Sequence, residues 1–342
     1  MRCLIQDLEK RKREDNMALL NVENLSIGYN TKKGLLKAVN DISFSIEQGR
    51  SLGFVGESGC GKTTIGMTLM GLLPENGSIL HGDINFNGFN LAGFNDKQWR
   101  DFRGREISMI FQAAMNAMNP VIRVDEQIIE AIETHNPEMS KHDINKKVKN
   151  LFEIVDIPLD RLKDFPHQYS GGMKQRAIIA MALACNPRLI IADEPTTALD
   201  VIVQDQILKE IKKIQKEFNT SVVFISHDIA VVADVCENIC VMYGGQIVEK
   251  GKRAEVFKDP RHPYTRILLE SYLSLDSDEN IKVPVIQNTP DLITLTDKCS
   301  FAASCHNKSA KCCTQTPNWV NFSQTHQAFC FEDVLKKDGN DK

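Results

Sequence analysis

The sequence predicts an α/β fold organised around a mainly parallel β-sheet. Three observations carry this. Short apolar runs alternate with helix-length amphipathic segments in the second half of the chain, as strands and crossover helices do in parallel sheets. One such run feeds straight into a glycine-rich loop and then a helix. Near the start, hydrophobic alternation broken by Gly and Asn reads as antiparallel strands beside that sheet. At 342 residues the chain exceeds one typical domain, so a large α/β body with a smaller appendage is expected.

Taken in order, LLNVENLSI through ISFSIEQG supplies the antiparallel strands, and SLGFV at 51–55 is a buried strand. GESGCGKTT and the helical IGMTLMGLL follow it directly. Between about 95 and 185 the chain turns helical and charged, as in DEQIIEAIE and HDINKKVKNLFEIV, which predicts a helical insertion. LIIAD and SVVFIS restore apolar strands on either side of the helical VIVQDQILKEIKKIQKEF. VMYGGQIVEKG reads as two strands joined by a turn, its Gly-Gly pair supplying positive φ. The acidic LDSDEN beyond about 275 reads as a linker to a cysteine-rich tail.

Net charge is −4 and the isoelectric point about 6.1, without the basic excess that binds duplex phosphates, so nucleic acid is not an expected partner. No run approaches the ~20 apolar residues of a membrane-spanning helix, so any membrane role has to come through a partner. Residues 1–17 carry both charge signs and no apolar h-region; they read as an extension, a cytoplasmic location is expected, and Met17 offers an alternative start. Ten cysteines in such a chain are expected to stay reduced.

The residues at 56–63, GESGCGKT, match the phosphate-cradling pattern G-x-x-x-x-G-K-[ST]. Gly56, Gly59 and Gly61 let the backbone N–H groups of the loop, from Gly56 through Glu57, Ser58, Gly59, Cys60 and Gly61 to Thr64, turn inward around phosphates. Lys62 reaches the β and γ oxygens, and Thr63 offers its hydroxyl to Mg²⁺. LIIADEP delivers Asp193 and Glu194 at the carboxyl end of a buried strand, the ligand edge of an α/β sheet. Asp193 suits Mg²⁺, and Glu194 suits polarisation of the water that attacks the γ-phosphate. SVVFIS delivers His227 in the same way, as a γ-phosphate contact. YSGGMKQR opens a second helix, where Ser170, Gly171 and Gly172 present N–H groups and a positive dipole end to an anion. The two half-sites either converge within one chain or pair across two, and the residues leave both open.

GESGCGKT, Gln112 in MIFQ, YSGGM, LIIADEP, the TALD run ending at Asp200, and His227 resemble, in this order, the nucleotide-binding subunits of ABC transporters. The resemblance spans about 18–270. It implies a P-loop NTPase cassette with a RecA-like parallel-sheet core, an antiparallel β subdomain and a helical subdomain, binding ATP and Mg²⁺. It implies a head-to-tail pair of such domains, with one chain's P-loop facing the other's SGG signature. By the same resemblance Tyr29 stacks on adenine, Gln112 contacts Mg²⁺ and nucleotide and aids catalysis, and Asp200 joins the nucleotide site.

Within that family FPHQYSGGMKQR, FQAAMNAMNP and DPRHPYTRILLES resemble the dipeptide and oligopeptide importers. These pair two different ATPases with two transmembrane permease subunits and an external substrate-binding protein, at the cytoplasmic face of the membrane. YSGGM, with Met173 in place of the commoner Gln, is similar to the first ATPase of such pairs. Nickel or metal-chelate import is the alternative cargo, and a soluble ATPase acting on nucleic acid or ribosomes the alternative class. Cys299, Cys305, Cys312 and Cys330 in the 271–342 tail are similar to the cysteines that hold a four-iron four-sulfur cluster in some members. Four thiolates suit that cluster or a structural zinc, and unligated buried thiols are the third reading; Cys313 competes with Cys312 for the role.

Overall fold

The computed structural model describes residues 18–111, 117–197, 199–275, 290, 292–293 and 298–337. β1 (Leu20–Thr31) and β2 (Gly34–Ile46) pair antiparallel, Leu20 opposite Ile46 and Thr31 opposite Gly34. After β3 (Ser51–Val55), strand β4 (Gly77–Phe86) pairs with the other edge of β1 and carries the two-residue β5 (Phe89–Asn90), giving a four-stranded antiparallel sheet. The 77–90 stretch was not expected as strand. Its face toward the core is intermittent, with Ile84 and Phe86 buried but His81 and Asp83 in a more open setting, so its period-2 signal is weak.

The main sheet has the order β11 (Asn318–Asn321), β12 (Gln327–Cys330), β10 (Gln246–Lys252), β9 (Asn238–Tyr243), β3, β8 (Ser221–Ser226), β7 (Leu189–Asp193), β6 (Ile107–Ile110). Its parallel core comprises β3, β6, β7, β8 and β9. Every residue of β3, β6, β7 and β8 is buried, as strands covered on both faces must be. Alternation sorts their side chains. Leu52, Phe54, Ile107, Met109, Leu189, Ile191, Val223 and Ile225 face the antiparallel sheet and helix α1 (Lys62–Leu69). Val55, Ile110, Ile190, Ala192, Val222 and Phe224 face the remaining core helices.

Those helices follow in chain order. After α2 (Asp96–Phe102) come α3 (Val124–His135), α4 (Lys141–Ile154) and α5 (Gly171–Leu183). The segment expected to be wholly helical is thus interrupted by β6. Its four apolar residues are too short a run to separate strand from helix by period, and pairing with β7 decides the matter. Helices α6 (Val201–Phe218) and α7 (Ile229–Val235) flank β8. Gly53 of β3 lets α7 close in, because a Cβ there would meet Val232 Cγ1 at 2.1 Å.

β10 (Gln246–Lys252) returns antiparallel to β9 through Gly244 and Gly245, at φ 55° and 79°. Two helices follow, α8 (Arg253–Lys258) and α9 (Pro263–Leu275). The cysteine-rich tail is not a separate appendage. β12 (Gln327–Cys330) hydrogen-bonds the outer edge of β10, β11 (Asn318–Asn321) pairs with β12, and α10 (Glu332–Lys337) ends the described chain. An open strand edge is unsatisfied backbone, and the hairpin covers it. Phe301, Cys305, Cys312, Cys330 and Val334 are buried in the same core as α3 to α7. Residues 1–17 and 276–289 lie outside the described residues.

Candidate active site

β3 ends at Val55, and the chain turns around 56–61 before α1 begins. The turn is obligatory for glycine at two points. Gly56 (φ 155°) has room for no Cβ, which would lie 2.1 Å from the Met242 carbonyl oxygen; Gly61 (φ 104°) would place one 2.4 Å from the Ala38 carbonyl oxygen. The β9–β10 turn braces the loop, Gly245 N donating to the Cys60 carbonyl at 3.2 Å. Lys62 is buried and donates from Nζ to the carbonyls of Gly56 (2.6 Å) and Glu57 (2.8 Å).

Thr63 opens α1 and donates from Oγ1 to Asp193 Oδ1 at 3.2 Å, so two elements far apart in sequence set a hydroxyl beside a carboxylate. This is a hard-oxygen pair of the type that holds Mg²⁺, and the donors present fit that ion. Burial pushes the Asp193 carboxyl up to about 6, Thr63 opposing and the Glu194 charge adding to the rise. Thr64, one residue on, accepts a hydrogen bond from the Tyr29 hydroxyl at 3.2 Å, which ties β1 to the start of α1.

Glu194 sits at φ 47°, a left-handed conformation uncommon for a non-glycine residue and concentrated at functional sites. Its N–H donates to the Ile225 carbonyl at 2.9 Å, which pins the turn to β8. Oε1 lies 3.0 Å from His227 Nδ1, and Oε2 accepts from Thr197 Oγ1 at 3.0 Å. Burial raises the Glu194 carboxyl, but the His227 and Thr197 hydrogen bonds outweigh it and hold the group below the usual range. A carboxylate at Nδ1 calls for a proton on that nitrogen, so His227 both orients Glu194 and keeps it ionised. The positive φ and the Thr197 contact had no sequence signal of their own.

The second anion site is built at α5. Ser170 caps the helix, its Oγ accepting from Met173 N at 3.2 Å, and Gly172 lies where a Cβ would meet Val203 Cγ1 at 3.0 Å. Gly171 begins the helix. Tyr169 is an anchor rather than a ligand, its buried ring donating from the hydroxyl to the Arg161 carbonyl at 2.9 Å. Among the described residues no hydrogen bond or ion pair joins Ser170, Gly171 or Gly172 to the 56–64 loop. Asp200 caps α6, its Oδ1 accepting from Val203 N at 2.9 Å, so the structure gives it a helix end. Gln112 lies outside the described residues.

The structure gathers Cys299, Cys305, Cys312 and Cys330 in one corner. Cys299 N donates to the Cys312 carbonyl at 3.1 Å; Cys305, Cys312 and Cys330 are buried, and Cys313 is exposed. Burial pushes Cys299 up to about 11 and Cys330 up to about 12, the neighbouring thiols adding to both rises. Among the described residues, however, no group of three or more His, Cys, Asp or Glu side chains stands close enough to hold a metal ion. The zinc expectation therefore has no tetrahedron, and the iron–sulfur expectation has its donors but no formed site.

Comparison with known proteins adds to this geometry. The ABC transporter family model matches residues 39–197, and the model of the oligopeptide/dipeptide transporter C-terminal region matches 248–312. The chain is 43% identical over 316 residues to the dipeptide transport ATP-binding protein DppD of Bacillus subtilis, covering 92% of this chain and 94% of that protein. It is 41% identical over 319 residues to the oligopeptide transport ATP-binding protein OppD of Escherichia coli, covering 93% and 94%. Among solved structures it resembles the dimeric ATP-binding cassette MJ0796 bound to ADP and Pi, at TM-score 0.62 and 26% identity, over 68% of this chain and 98% of that one. CbiO1 of Clostridium perfringens, part of the transporter complex cbiONQ, matches at TM-score 0.62 and 27% identity, over 71% and 92%. This chain belongs to the ATP-binding subunits of ABC transporters, in the branch that carries the oligopeptide/dipeptide transporter C-terminal region.

Proposed function

We propose that the chain binds MgATP on the 56–64 loop and hydrolyses it to drive import of di- or oligopeptides. The observation that carries the reading is the convergence of Lys62, the Thr63–Asp193 pair and the Glu194–His227 pair at the carboxyl edge of one parallel sheet. Loop N–H groups and Lys62 bind the β and γ phosphates, Tyr29 flanks the base, and Thr63, Asp193 and Gln112 hold Mg²⁺. That ion, when bound, neutralises charge on the transferring phosphoryl group. Glu194, ionised and aimed by His227 and Thr197, accepts a hydrogen bond from the attacking water, and His227 faces the γ-phosphate. Ser170, Gly171 and Gly172 act on the nucleotide of a second, homologous ATPase chain, with Asp200 at the same interface.

The pair works on two permease subunits and an external binding protein, peripheral to the cytoplasmic face of the membrane. In support, the described residues contain no helix long and apolar enough to cross a membrane. The cysteine corner is where an iron–sulfur cluster would take its four thiolates, a reading that rests on donor chemistry alone. Iron analysis after anaerobic purification tests it: about four irons per chain support it, and an iron-free protein removes it. The ATPase reading is tested by Glu194→Gln, which keeps MgATP binding and loses turnover; normal turnover in that variant overturns the assignment.

A further inference from the structure

The C-terminal region reaches into the phosphate loop through one side chain. Tyr264, in the first turn of α9, is fully buried, and its hydroxyl accepts from the Glu57 N–H at 3.0 Å. The Glu57 carbonyl in turn accepts from Lys62 Nζ at 2.8 Å. The backbone of one loop residue, Glu57, is therefore held at its N–H by the C-terminal region and at its carbonyl by the lysine that meets the phosphates.

Behind Tyr264 runs a continuous hydrogen-bonded chain. Tyr264 N donates to His262 Nδ1 at 3.1 Å, and His262 N donates to Glu249 Oε2 at 2.8 Å. Glu249 Oε1 accepts from Arg261 N at 2.9 Å and meets His326 Nε2 at 2.7 Å. Glu249, His262 and His326 are all buried. Burial pushes His262 down to about 4, so its Nδ1 is free of a proton near neutrality and accepts from Tyr264. His326 lies at the mouth of the β11–β12 hairpin, four residues before Cys330. A second connection is apolar. The Tyr264 ring packs on Tyr243 (4.7 Å between centroids) and on Phe301 (5.5 Å), and Phe301 sits between Cys299 and Cys305 in sequence, with Ala302 N bonded to the Cys299 carbonyl. Between loop and tail remains a cavity of about 230 Å³ lined by Glu57, Ser58, Tyr243, Gly244, Pro290 and Leu292.

A phenylalanine would fill the place of the Tyr264 ring equally well. The hydroxyl has its use at Glu57, and the buried Glu249 carboxylate has its use in fixing where that hydroxyl points. We infer that Tyr264 is a positioning residue of the phosphate loop, through which the cysteine-bearing hairpin sets the affinity of this chain for nucleotide. The inference rests on the ATP-binding reading of that loop.

The test is equilibrium binding of a fluorescent, non-hydrolysable MgATP analogue to the full chain, with steady-state hydrolysis alongside. Tyr264→Phe is expected to raise Kd about 3- to 10-fold, the range set by one hydrogen bond, and to raise KM in step while kcat at saturating ATP is retained. His326→Gln is expected to raise Kd in the same direction and to add little in a Tyr264→Phe background, since both act through one contact. An unchanged Kd for Tyr264→Phe, alongside loss of binding in Lys62→Ala, overturns the inference and leaves the ATP reading standing. Fully additive effects of the two substitutions overturn the link to the hairpin. Absence of binding in the unaltered chain overturns the ATP reading and the inference together.

Discussion

Asp193 and Glu194 are neighbours in the chain and occupy opposite electrostatic situations. Burial at the end of β7 pushes Asp193 up to about 6, whereas His227 and Thr197 hold Glu194 below the ordinary carboxylate range despite its own partial burial. These environments suit the proposed roles, an ionised Glu194 beside the attacking water and an Asp193 whose charge a cation would stabilise. The sign of the consequence follows. A carboxyl raised from 3.8 to about 6 binds a proton more readily in the folded chain, so the metal-free protein loses stability on account of this group as pH rises from about 4 to 6. Mg²⁺ requires the ionised form, so MgATP affinity should fall below pH 6, approaching about tenfold per pH unit; isothermal titration between pH 5 and 8 reads this, and a flat profile contradicts it. Glu194→Gln should lower hydrolysis by about 10²- to 10³-fold or more with nucleotide binding intact. Most of this site was legible in the sequence because each group follows a short apolar strand or fills a glycine-loop position. What escaped were contacts made by folding alone, such as the positive φ of Glu194, the Thr197 bond and the Tyr264 hydroxyl.

At the level of elements, the helix carrying the second anion site is fixed by a residue that no sequence motif singles out. Arg176, in the second turn of α5, donates to the carbonyls of Val155 (2.9 Å) and Asp156 (3.1 Å) and pairs with Glu210 of α6 at 2.9 Å. Both partners of that pair are nearly buried, at 10% and 13% side-chain exposure, and burial still pushes Glu210 up to about 7 against the pull of the guanidinium. Removing one partner strands the other, so Arg176→Met should destabilise the fold by about 3–5 kcal/mol. A shift of the denaturant midpoint corresponding to less than about 1 kcal/mol would show the pair to be incidental. In the loop, Gly61→Ala asks a Cβ to share space with the Ala38 carbonyl at a left-handed φ. Strain of about 1–3 kcal/mol there predicts MgATP affinity lower by about 5- to 150-fold, read by the same binding assay. Element types were legible where period or length was unambiguous, as in α6 and β8. The four-residue β6, the irregular β4 and the hairpin on the outer edge of β10 were not, because pairing partners outside the local window decide them.

Across the whole molecule, the parallel sheet presents its carboxyl edge with Lys62, Asp193, Glu194 and His227, while Ser170 to Gly172 stand at the start of a separate helix. In the proposed head-to-tail pair, a partner chain completes each half-site. Ser170→Arg should therefore leave nucleotide binding by the isolated chain within about twofold and cut hydrolysis by the assembled pair by about 10²-fold. Equal loss in both measurements would place the two half-sites in one site instead. The C-terminal region, docked through the tail's strands on the main sheet and through the Tyr264 hydroxyl on the phosphate loop, belongs to the same mechanical unit. Its four cysteines were singled out by their resemblance to the importer ATPases' tails, and the burial of Cys305, Cys312 and Cys330 in the main core was not legible. The most direct test of the account is ATP hydrolysis by the transporter assembled around this chain, measured with and without peptide-loaded binding protein, for the unaltered chain and for Glu194→Gln. The account predicts hydrolysis that peptide accelerates and that Glu194→Gln loses while still binding MgATP. Hydrolysis indifferent to peptide and undiminished in Glu194→Gln would contradict it.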